Sequence, residues 1–350
     1  MKRLHHLLGI ALSAFLFVGQ PCVAENPSVD QPQPDSAKRV KIAFVTNQIA
    51  NFWNIAKIGC EDASKDFDVD VDVRFPETAN ATRQKQIVED LIVNKIDALA
   101  ISPIDAVNQA ATLNEWCKKI PVITHDSDAP TSNRLMYIGM DNYAAGRMVG
   151  KLVKEAIPDG GKICIFIGRL EQDNSQKRRQ GVIDELLGRR DRGPDDDFDE
   201  VDRVIKNDKF TIVATLTDQG AMDVAKQKAE DAIIAYPDLN VMVGLFEYNP
   251  PAILQALKQS NKVGKIKIVG FDENAATLQG IKDGTVVGTV VQNPYEYGYK
   301  SVEVLSKLLK GDKSVIPESK YIDIAPRSIT KKNVDEFWAD LKAKSGDANK

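Results

Sequence analysis

The chain has 350 residues, a length that suits roughly two domains. Hydrophobic residues make up 43% of it and charged residues 27%, which is ordinary for a globular protein. The formal net charge is only −4 and there is no long basic block, so composition argues against nucleic acid or an acidic membrane surface as a partner.

The first residues are typical of a segment that directs export. The charged start "MKRLHH" precedes the apolar stretch "LLGIALSAFLFVG", and "CVA" fits the small-x-small rule for cleavage after Ala24. We therefore expect residues 1–24 to be a signal peptide and the mature protein to be periplasmic. An uncleaved anchor is less favoured because the apolar core is short for a span, and a lipoprotein site at Cys22 is poor because Pro21 precedes it. The polar, proline-rich residues 25–38 predict a disordered leader.

Export implies an oxidising compartment, which makes the cysteines relevant. If Cys22 is removed, Cys60, Cys117 and Cys164 remain, and three thiols cannot all pair with one another. Apolar or helical neighbours, as in "KICIFIG", favour small buried hydrophobic residues. The sequence leaves a bridge between Cys60 and Cys117 open. It contains no CxxC spacing that would indicate a metal site.

Beyond the leader, short apolar runs alternate with amphipathic stretches. The runs "VKIAFVT", "VDVDVRF", "DALAIS", "PVITH" and "LMYIGM" predict strands. Helical segments lie between the first four. In "TRQKQIVEDLIVNK", for example, Ile87 and Leu91 recur four residues apart, as do Val88 and Ile92.

The second half repeats this alternation after residues 139–146, "GMDNYAAG", where the strand pattern breaks. The runs "KICIFIG", "FTIVATL", "NVMVGLF", "KIKIVGF" and "TVVGTVVQ" predict strands, and stretches such as "AMDVAKQKAEDAIIAY" predict the helices between them. Apolar strands bounded by helices of this length imply parallel sheets covered on both faces. The predicted fold class is α/β, with two doubly wound, Rossmann-like lobes.

One segment, "GRRDRGPDDDFDEVDRVIKND" at residues 188–208, interrupts the alternation with dense charge. It could hold a cation through Asp195, Asp197 and Asp199, but it lacks the turn glycine and the terminal glutamate of a calcium loop. A solvated surface insertion is the favoured interpretation, and no metal site is predicted.

In open parallel sheets, ligands bind beyond the carboxyl ends of the strands, so the residues that follow each strand are the candidates for a site. These strand-end residues are Asn47, Phe52, Trp53, Ser102, Pro103, Asp126, Ser127, Arg178, Asp218, Phe246, Glu247, Tyr248, Asn249, Asp272 and Gln292.

Phe52 and Trp53 are adjacent at the corner between the first strand and the first helix. Two neighbouring aromatic residues on one helical turn are not expected to point into the same core. The pair is therefore predicted to face a cleft, with a hydrophobic staple as the alternative for Phe52.

The strand-end residues lack the groups needed for catalysis. His125 is the single histidine beyond the predicted signal peptide, and it is expected to end a buried strand. There is no GxGxxG after a strand, no GxxxxGK[ST] and no evident Ser–His–acid or Cys–His pairing. We therefore expect a protein that is not an enzyme and has no cofactor.

The strand-end residues suit a neutral polyhydroxylated ligand. Carboxylates accept from hydroxyl groups, a guanidinium donates to them, and carboxamides do both. Aromatic faces cover the C–H patches of a sugar ring. Taken singly, each residue has another explanation: Asp126 and Asp272 could be helix N-caps, and Arg178 could be an exposed helix charge.

The chain resembles the periplasmic sugar-binding proteins of the ribose-binding type, which share their fold with the effector domains of LacI-type repressors. The resemblance extends over residues 38–330. It rests on "KIAFVTNQIANFWNIAKIGCEDA", "IDALAISPID", "IPVITHDSD", "YIGMDNYAAGRMVG", "RRQGVIDEL", "IVGFDEN" and "GTVVQNPYEYGYKSVE" in that order.

The resemblance implies roles for individual residues. Phe52 and Trp53 match the paired aromatic residues that sandwich the sugar. Asp126 matches the acid after "PVIT", Asp272 matches the acid of "VGFD", and Arg178 matches the ligand arginine three residues before a glycine.

Gln292 matches a carboxamide near a crossing between lobes, whereas other positions differ from the family pattern. Ser127 stands where ribose binders often have arginine, and "LFEYNPP" replaces the common "QND". In one interpretation Asn249 supplies the missing carboxamide from a shifted position, and in the other Glu247 takes over its role. Phe246 is also predicted to be part of the ligand site. The fold does not depend on these differences, but the choice of ribose as the ligand does.

The resemblance also implies three crossings between lobes. Residues 39–140 with 293–322 would form the N-terminal lobe, and residues 141–292 with 323–340 the C-terminal lobe. The implied function is to bind a monosaccharide between closing lobes and deliver it to an ABC-type permease in the inner membrane. The alternative is a sensor that presents its closed form to a membrane receptor. A monomer without a nucleic-acid partner is expected.

Overall fold

The structure, a computed structural model, describes residues 39–193 and 196–345. The predicted signal peptide and leader therefore lie outside the described residues. Within the part of the chain that the structure describes, no helix has the length and apolar character required to cross a bilayer.

Strands and helices alternate along the chain. The first part consists of β1 (Lys41–Val45), α1 (Asn51–Phe67), β2 (Asp70–Arg74), α2 (Ala81–Val93), β3 (Ala98–Ile101), α3 (Ala110–Cys117), β4 (Val122–His125) and β5 (Tyr137–Gly139). The middle part consists of α4 (Asn142–Ala156), β6 (Gly161–Ile167), α5 (Asp173–Leu187), β7 (Ile205–Lys206), β8 (Phe210–Thr217), α6 (Met222–Ala235), β9 (Val241–Gly244), α7 (Asn249–Gln259), β10 (Lys267–Phe271), α8 (Ala275–Asp283) and β11 (Gly288–Val291). The last part consists of α9 (Pro294–Leu309), a 3₁₀ turn (Lys313–Val315), β12 (Tyr321–Asp323), β13 (Arg327–Thr330) and α10 (Val334–Ser345).

The strands form two sheets, each of which is the centre of one lobe. The first sheet has the order β12-β5-β4-β3-β1-β2, and its paired strands are all parallel. The second has the order β13-β11-β10-β9-β6-β8-β7 and is parallel except at its edges, where β13 and β7 run antiparallel to their neighbours. The predicted α/β class with two parallel-sheet lobes is confirmed.

The apolar composition of the strands follows from their position between two helical layers. In β1, Ile42 and Phe44 pack into one core cluster, while Ala43 and Val45 pack into another on the opposite face of the sheet. All four side chains are fully buried. A strand covered on both faces needs apolar residues at every position, which explains the unbroken run in the sequence.

The chain passes from one sheet to the other after β5, after β11 and after β12. After the second passage, α9 packs closely against α1 of the first lobe. A Cβ atom at Gly59 would lie 2.1 Å from the carbonyl oxygen of Tyr295, and one at Gly298 would lie 2.0 Å from that of Ala56. Glycine at both positions therefore allows the two backbones to touch.

The three cysteines of the described chain are free. Cys60 and Cys164 are buried, and Cys117 is partly exposed. The bridge between Cys60 and Cys117 that the sequence left open is not formed. Burial raises the pKa of all three thiols, and it does so most for the fully buried Cys60 and Cys164.

The acidic segment docks against α5 and is not simply solvated. Asp199 accepts hydrogen bonds at Oδ2 from Gln180 (2.6 Å) and Arg192 (3.1 Å). Arg179, which is only 2% exposed, donates to the backbone oxygen of Asp199 at 2.7 Å. Arg192 also pairs at 2.6 Å with Asp184, a carboxylate with no exposed surface. The prediction of a solvated insertion was therefore wrong for its inner side, because arginines of the segment and of α5 hold it.

The cation alternative for this segment gains no support. Asp195 lies outside the described residues, and the carboxylate of Asp199 is occupied by arginines. Residues 39–193 and 196–345 contain no group of three or more histidine, cysteine or carboxylate side chains arranged to hold a metal.

Candidate functional site

A cavity lies between the carboxyl edges of the two sheets. Its lining comes from the residues that follow β1, β4, β9, β10 and β11, and from the first helical turns of α1 and α5. The lining residues are Asn47, Gln48, Ala50, Phe52, Trp53, Asp126, Asn174, Arg178, Phe246, Glu247, Asp272 and Gln292. This is the position at which open parallel sheets bind their ligands.

Asp126 is the acid that the first lobe contributes. Its Oδ2 accepts from the Ser102 hydroxyl at 2.9 Å and from Asn47 Nδ2 at 3.2 Å. Asn47 is itself held by Trp53, whose Nε1 donates to Asn47 Oδ1 at 3.2 Å. Burial raises the pKa of Asp126, although the positive charge of Arg178 and these hydrogen bonds oppose that effect. The carboxylate is thus held in one orientation by two donors, Asn47 after β1 and Ser102 after β3, and Trp53 of α1 holds Asn47 in turn.

Arg178 reaches from α5 toward the same carboxylate. Its Nη2 lies 3.8 Å from Asp126 Oδ1, so an ion pair joins the two lobes across the cavity. Its Nε donates to Asn142 Oδ1 at 2.8 Å and its Nη1 to the Leu245 carbonyl oxygen at 3.2 Å. Nη2 has no hydrogen-bond partner although it is buried. Arg178 is 1% exposed, which rules out the alternative of an exposed helix charge.

Asp272 is the acid that the second lobe contributes. Its Oδ1 accepts from Gln292 Nε2 at 2.8 Å, and Gln292 Oε1 accepts from the Tyr297 hydroxyl at 3.0 Å. Tyr297 lies on α9, so this chain of hydrogen bonds follows the backbone from the second lobe to the first. Burial raises the pKa of Asp272 to about 7, and the positive charge of Arg178 only partly offsets it.

Asp126 and Asp272 share an unusual backbone geometry. Each directly follows a strand, and each has a positive φ, 58° and 64° respectively. Neither is a helix N-cap: Asp141 caps α4 and Asn274 caps α8. Left-handed geometry at a residue other than glycine is uncommon and tends to occur at functional positions. The capping alternatives are therefore excluded for both acids.

Phe52 and Trp53 line the cavity and also pack in the core, contrary to the premise that they could not share it. Their rings meet edge to face with centroids 4.8 Å apart, and both belong to one core cluster with Phe44. Trp53 is 2% exposed and Phe52 6%. Because the two rings pack edge to face, adjacent residues can both contribute to one core cluster without a clash. Across the cavity, Phe246 of the second lobe lies beside the Arg178 guanidinium at 5.3 Å.

His125 behaves as expected for the end of a buried strand. Its ring stacks on Phe44 with centroids 3.9 Å apart, and both ring nitrogens lack a hydrogen-bond partner. Burial lowers its pKa to about 3, so the imidazole is neutral at physiological pH. Since neither ring nitrogen makes a hydrogen bond, the imidazole is not paired with a serine or cysteine of the described residues.

Six of the fifteen strand-end candidates do not line the cavity: Ser102, Pro103, Ser127, Asp218, Tyr248 and Asn249. Ser127 is fully buried, and its backbone N–H points to Ser102 Oγ at 3.4 Å. Asn249 is also fully buried, since Oδ1 accepts from the Phe246 N–H at 3.0 Å and Nδ2 donates to Asp218 at 2.8 Å. Both residues support the loops that carry the lining.

The sequence prediction missed or left open three polar residues that line the cavity: Gln48, Asn174 and Glu247. Asn174 lies in the first turn of α5, and its Oδ1 is buried without a partner. Its place shortly after β6, at the start of the next helix, is a signal of the same kind as those used for the other strands. Glu247 follows β9 and had been one of two alternatives; it reaches the cavity, whereas Asn249 does not.

The cavity is small, with a volume of about 30 Å³. That is room for one or two water molecules, whereas small-molecule pockets usually measure several hundred Å³. The backbone N–H of Ala106 donates to the Glu171 carbonyl oxygen at 3.1 Å, which ties the two lobes at the rim. This conformation is therefore nearly shut, and a sugar ring requires the two sheets to separate.

Comparison with known proteins places this geometry in context. The family model described as a periplasmic binding protein domain matches residues 42–313. The ribose import binding protein RbsB of Salmonella typhimurium is 26% identical over 238 residues, which is 67% of this chain and 73% of that protein. RbsB of Bacillus subtilis is 26% identical over 314 residues, which is 87% of this chain and 94% of that protein.

A solved structure has the same fold. The solute-binding protein of an ABC transporter from Burkholderia graminis, in complex with D-arabinose, superposes with a TM-score of 0.75 at 26% identity. The match covers 85% of this chain and 97% of that chain.

Proposed function

The chain belongs to the family of periplasmic binding protein domains, among the type I sugar-binding proteins, and from that premise we propose that it binds a monosaccharide between its two lobes. Two of these relatives are ribose import binding proteins, and the third was solved in complex with D-arabinose. We propose the same ligand class, a monosaccharide, for this chain.

One observation carries the proposal: two buried carboxylates from separate lobes converge on one arginine. Asp126 comes from the first sheet, Asp272 from the second, and Arg178 stands between them. Carboxylates accept from ring hydroxyls, and the free Nη2 of the arginine donates to a hydroxyl or ring oxygen. Phe52 and Trp53 supply apolar surface for the C–H side of the ring.

The mechanism that fits this placement is closure on the ligand. A ligand that touches both lobes binds the closed form better than the open form and shifts the population toward it. Opening admits the sugar, and closure brings Asp126 and Asp272 to the same ring. We further propose that an ABC-type permease recognises the closed form, and that the chain is exported with cleavage after Ala24.

Isothermal titration calorimetry against pentoses, hexoses and sugar alcohols tests the proposal. We expect at least one monosaccharide to bind with a Kd in the micromolar range or tighter, and the variant Asp126→Asn with Asp272→Asn to bind none of them. If no monosaccharide produces a binding isotherm with the folded wild-type protein, the proposed function is wrong.

We propose no catalysis. His125, the one histidine among the described residues, is neutral and lacks hydrogen-bond partners, so it activates no nucleophile. NMR spectra of the bound sugar should be unchanged after prolonged incubation with the protein. Any conversion of the sugar that depends on the protein would contradict this part of the proposal.

A further inference from the structure

We propose that Tyr297 is a positioning residue of the cleft, whose hydroxyl holds the carboxamide of Gln292 in the orientation in which that group donates to Asp272. Tyr297 itself does not line the cavity, so it acts on the ligand through these two residues. The inference rests on the proposed function, because it assigns to Tyr297 a role in preparing the same sugar site.

Tyr297 is anchored in the core of the first lobe. It lies on α9, has no exposed surface and belongs to the core cluster that contains Phe52 and Trp53. Its ring meets that of Phe52 edge to face, with centroids 6.3 Å apart. Gln292, by contrast, directly follows β11 of the second sheet. The hydrogen bond between Tyr297 and Gln292 therefore spans the crossing that leads from the second lobe to the first.

The carboxamide of Gln292 has a donor at one end and an acceptor at the other, and each end needs a matching partner. Nε2 donates to Asp272 Oδ1 at 2.8 Å, and Oε1 accepts from the Tyr297 hydroxyl at 3.0 Å. Because Gln292 is buried, Tyr297→Phe would leave Oε1 without its donor, at a cost similar to what the bond from Nε2 contributes. The amide would then turn to satisfy Oε1 elsewhere and release Asp272.

The orientation of Asp272 matters for a ligand because its two carboxylate oxygens have different tasks. Oδ1 is occupied by Gln292, whereas Oδ2 accepts no hydrogen bond from the described residues. Fixing Oδ1 therefore also fixes the direction in which Oδ2 meets a sugar hydroxyl. A carboxylate that must be ordered at the moment of binding costs affinity, whereas one that is already held does not.

The Tyr297 hydroxyl keeps its proton throughout the neutral pH range. Burial raises the pKa of Tyr297 well above its usual value, and the negative charges of Asp126 and Asp272 act in the same direction. The hydroxyl therefore remains a donor to Gln292 under all conditions in which the protein would meet a sugar.

The hydrogen bond from Gln292 also favours the ionised form of Asp272. Burial raises the pKa of Asp272 to about 7, and both the positive charge of Arg178 and the hydrogen bond from Gln292 oppose that rise. Release of Gln292 should therefore raise the pKa of Asp272 further. The charged groups that face Asp272 are Arg178 of α5, Asp126 after β4, Glu247 after β9 and Glu273, its neighbour in the chain.

Carbon-13 NMR of the aspartate carboxyl groups tests the inference without any sugar. The Asp272 signal is the one that Asp272→Asn removes, and its titration is followed in the wild-type protein and in Tyr297→Phe. We expect the midpoint to lie about one pH unit higher in Tyr297→Phe, because a hydrogen bond to a charged group contributes about that much to its ionisation. A role of the hydroxyl in packing alone would leave the midpoint unchanged.

Calorimetry at pH 7 with the monosaccharide that the wild-type protein binds best tests the effect on the ligand. We expect Tyr297→Phe to bind that sugar about tenfold more weakly. Gln292→Leu removes the carboxamide through which the hydroxyl acts. Adding Tyr297→Phe to Gln292→Leu should therefore cause little further loss of affinity.

Tyr143→Phe is the matched control, since the Tyr143 hydroxyl donates to Asp184 Oδ2 at 2.9 Å outside the cavity. This control should keep the wild-type affinity and the wild-type midpoint of Asp272. The inference is overturned if Tyr297→Phe leaves that midpoint unchanged, or if it weakens sugar binding by the same factor with and without Gln292. A wild-type protein that binds no monosaccharide overturns the proposed function instead, and the NMR titration still decides whether Tyr297 acts on Asp272.

Discussion

Replacing Trp53 by alanine separates the two roles that the structure gives this residue, packing and ligand contact. The side chain is 2% exposed and meets Phe52 and His125 edge to face, with centroids 4.8 Å and 5.4 Å away. Truncating a tryptophan in such a core costs about 3–5 kcal/mol of stability. A folded domain has about 5–15 kcal/mol, so we expect Trp53→Ala to fold but to melt roughly 5–15 °C lower.

The effect on binding has two physical causes. The ligand loses an aromatic surface worth about 0.5–1.5 kcal/mol, and Asn47 loses the N–H donor that orients it toward Asp126. An unpaired buried acceptor adds about 1–3 kcal/mol. Together these losses predict a Kd about a hundredfold higher than that of the wild-type protein.

Trp116→Ala is the matched control. Trp116 is also 2% exposed, but it packs on the opposite face of the first sheet, away from the cavity. Calorimetric melting and sugar titration at low temperature, where both variants are folded, compare the two substitutions. We expect similar losses of stability but loss of affinity only for Trp53→Ala. Equal affinity losses would refute the reasoning, as would unchanged sugar affinity in Trp53→Ala.

Three further predictions concern the buried ionisable groups. Burial raises the pKa of Asp272 to about 7, so the ionised form is disfavoured in the fold and the contribution of this one carboxylate to stability should fall as pH rises from about 4 to about 7. Asp272→Asn should therefore raise the Tm of the ligand-free protein at pH 8 and hardly change it at pH 4, and a lower Tm at pH 8 would contradict this. Burial opposes ionisation of Asp184 as well, but hydrogen bonds from Arg192 and other donors outweigh it and lower its pKa. The stabilisation that ionised Asp184 provides is therefore present above pH 4 and lost below it. Asp184→Asn should lower the free energy of unfolding by about 2 kcal/mol at pH 7, measured by urea unfolding. An unchanged free energy of unfolding at pH 7 would argue against the hydrogen-bond network around Asp184. Thiol labelling under native conditions should modify Cys117 slowly and leave Cys60 and Cys164 unmodified until the protein unfolds, because burial keeps those thiols protonated and inaccessible; rapid labelling of Cys60 would contradict the packing.

The architecture was predictable because its signal is repeated many times along the chain. Most of the parallel strands contain an apolar run, as in residues 42–45, and most are separated from the next strand by an amphipathic helix. The antiparallel edge strands were not predicted. Ile205–Lys206 is a strand of two residues, too short to show an alternating pattern, and it follows the charged segment.

The candidate site was predictable in outline because strand-end positions converge by topology. That rule places Asp126, Asp272 and Gln292 at one cavity, as found. It does not tell which of two neighbouring polar residues faces the cavity. Glu247 and Asn249 are two positions apart, and the outcome depends on Asp218, a distant residue that holds Asn249 by a hydrogen bond. Such tertiary contacts leave no local pattern in the sequence.

The charged segment shows the same limit in a different form. Its composition predicts solvation, and its outer residues are exposed. Buried partners on α5, Asp184 and Arg179, hold its inner side through arginines and backbone oxygens. A sequence shows that charges are dense, but it does not show which of them meet an opposite charge across the fold.

A crystal structure of the protein grown with the monosaccharide that calorimetry selects tests the central claim most directly. We predict electron density for one sugar ring in the cleft, with hydrogen bonds to Asp126 of the first lobe and Asp272 of the second, and with the ring against Phe52 and Trp53. A sugar that contacts one lobe alone, or that binds outside this cleft, would contradict the account.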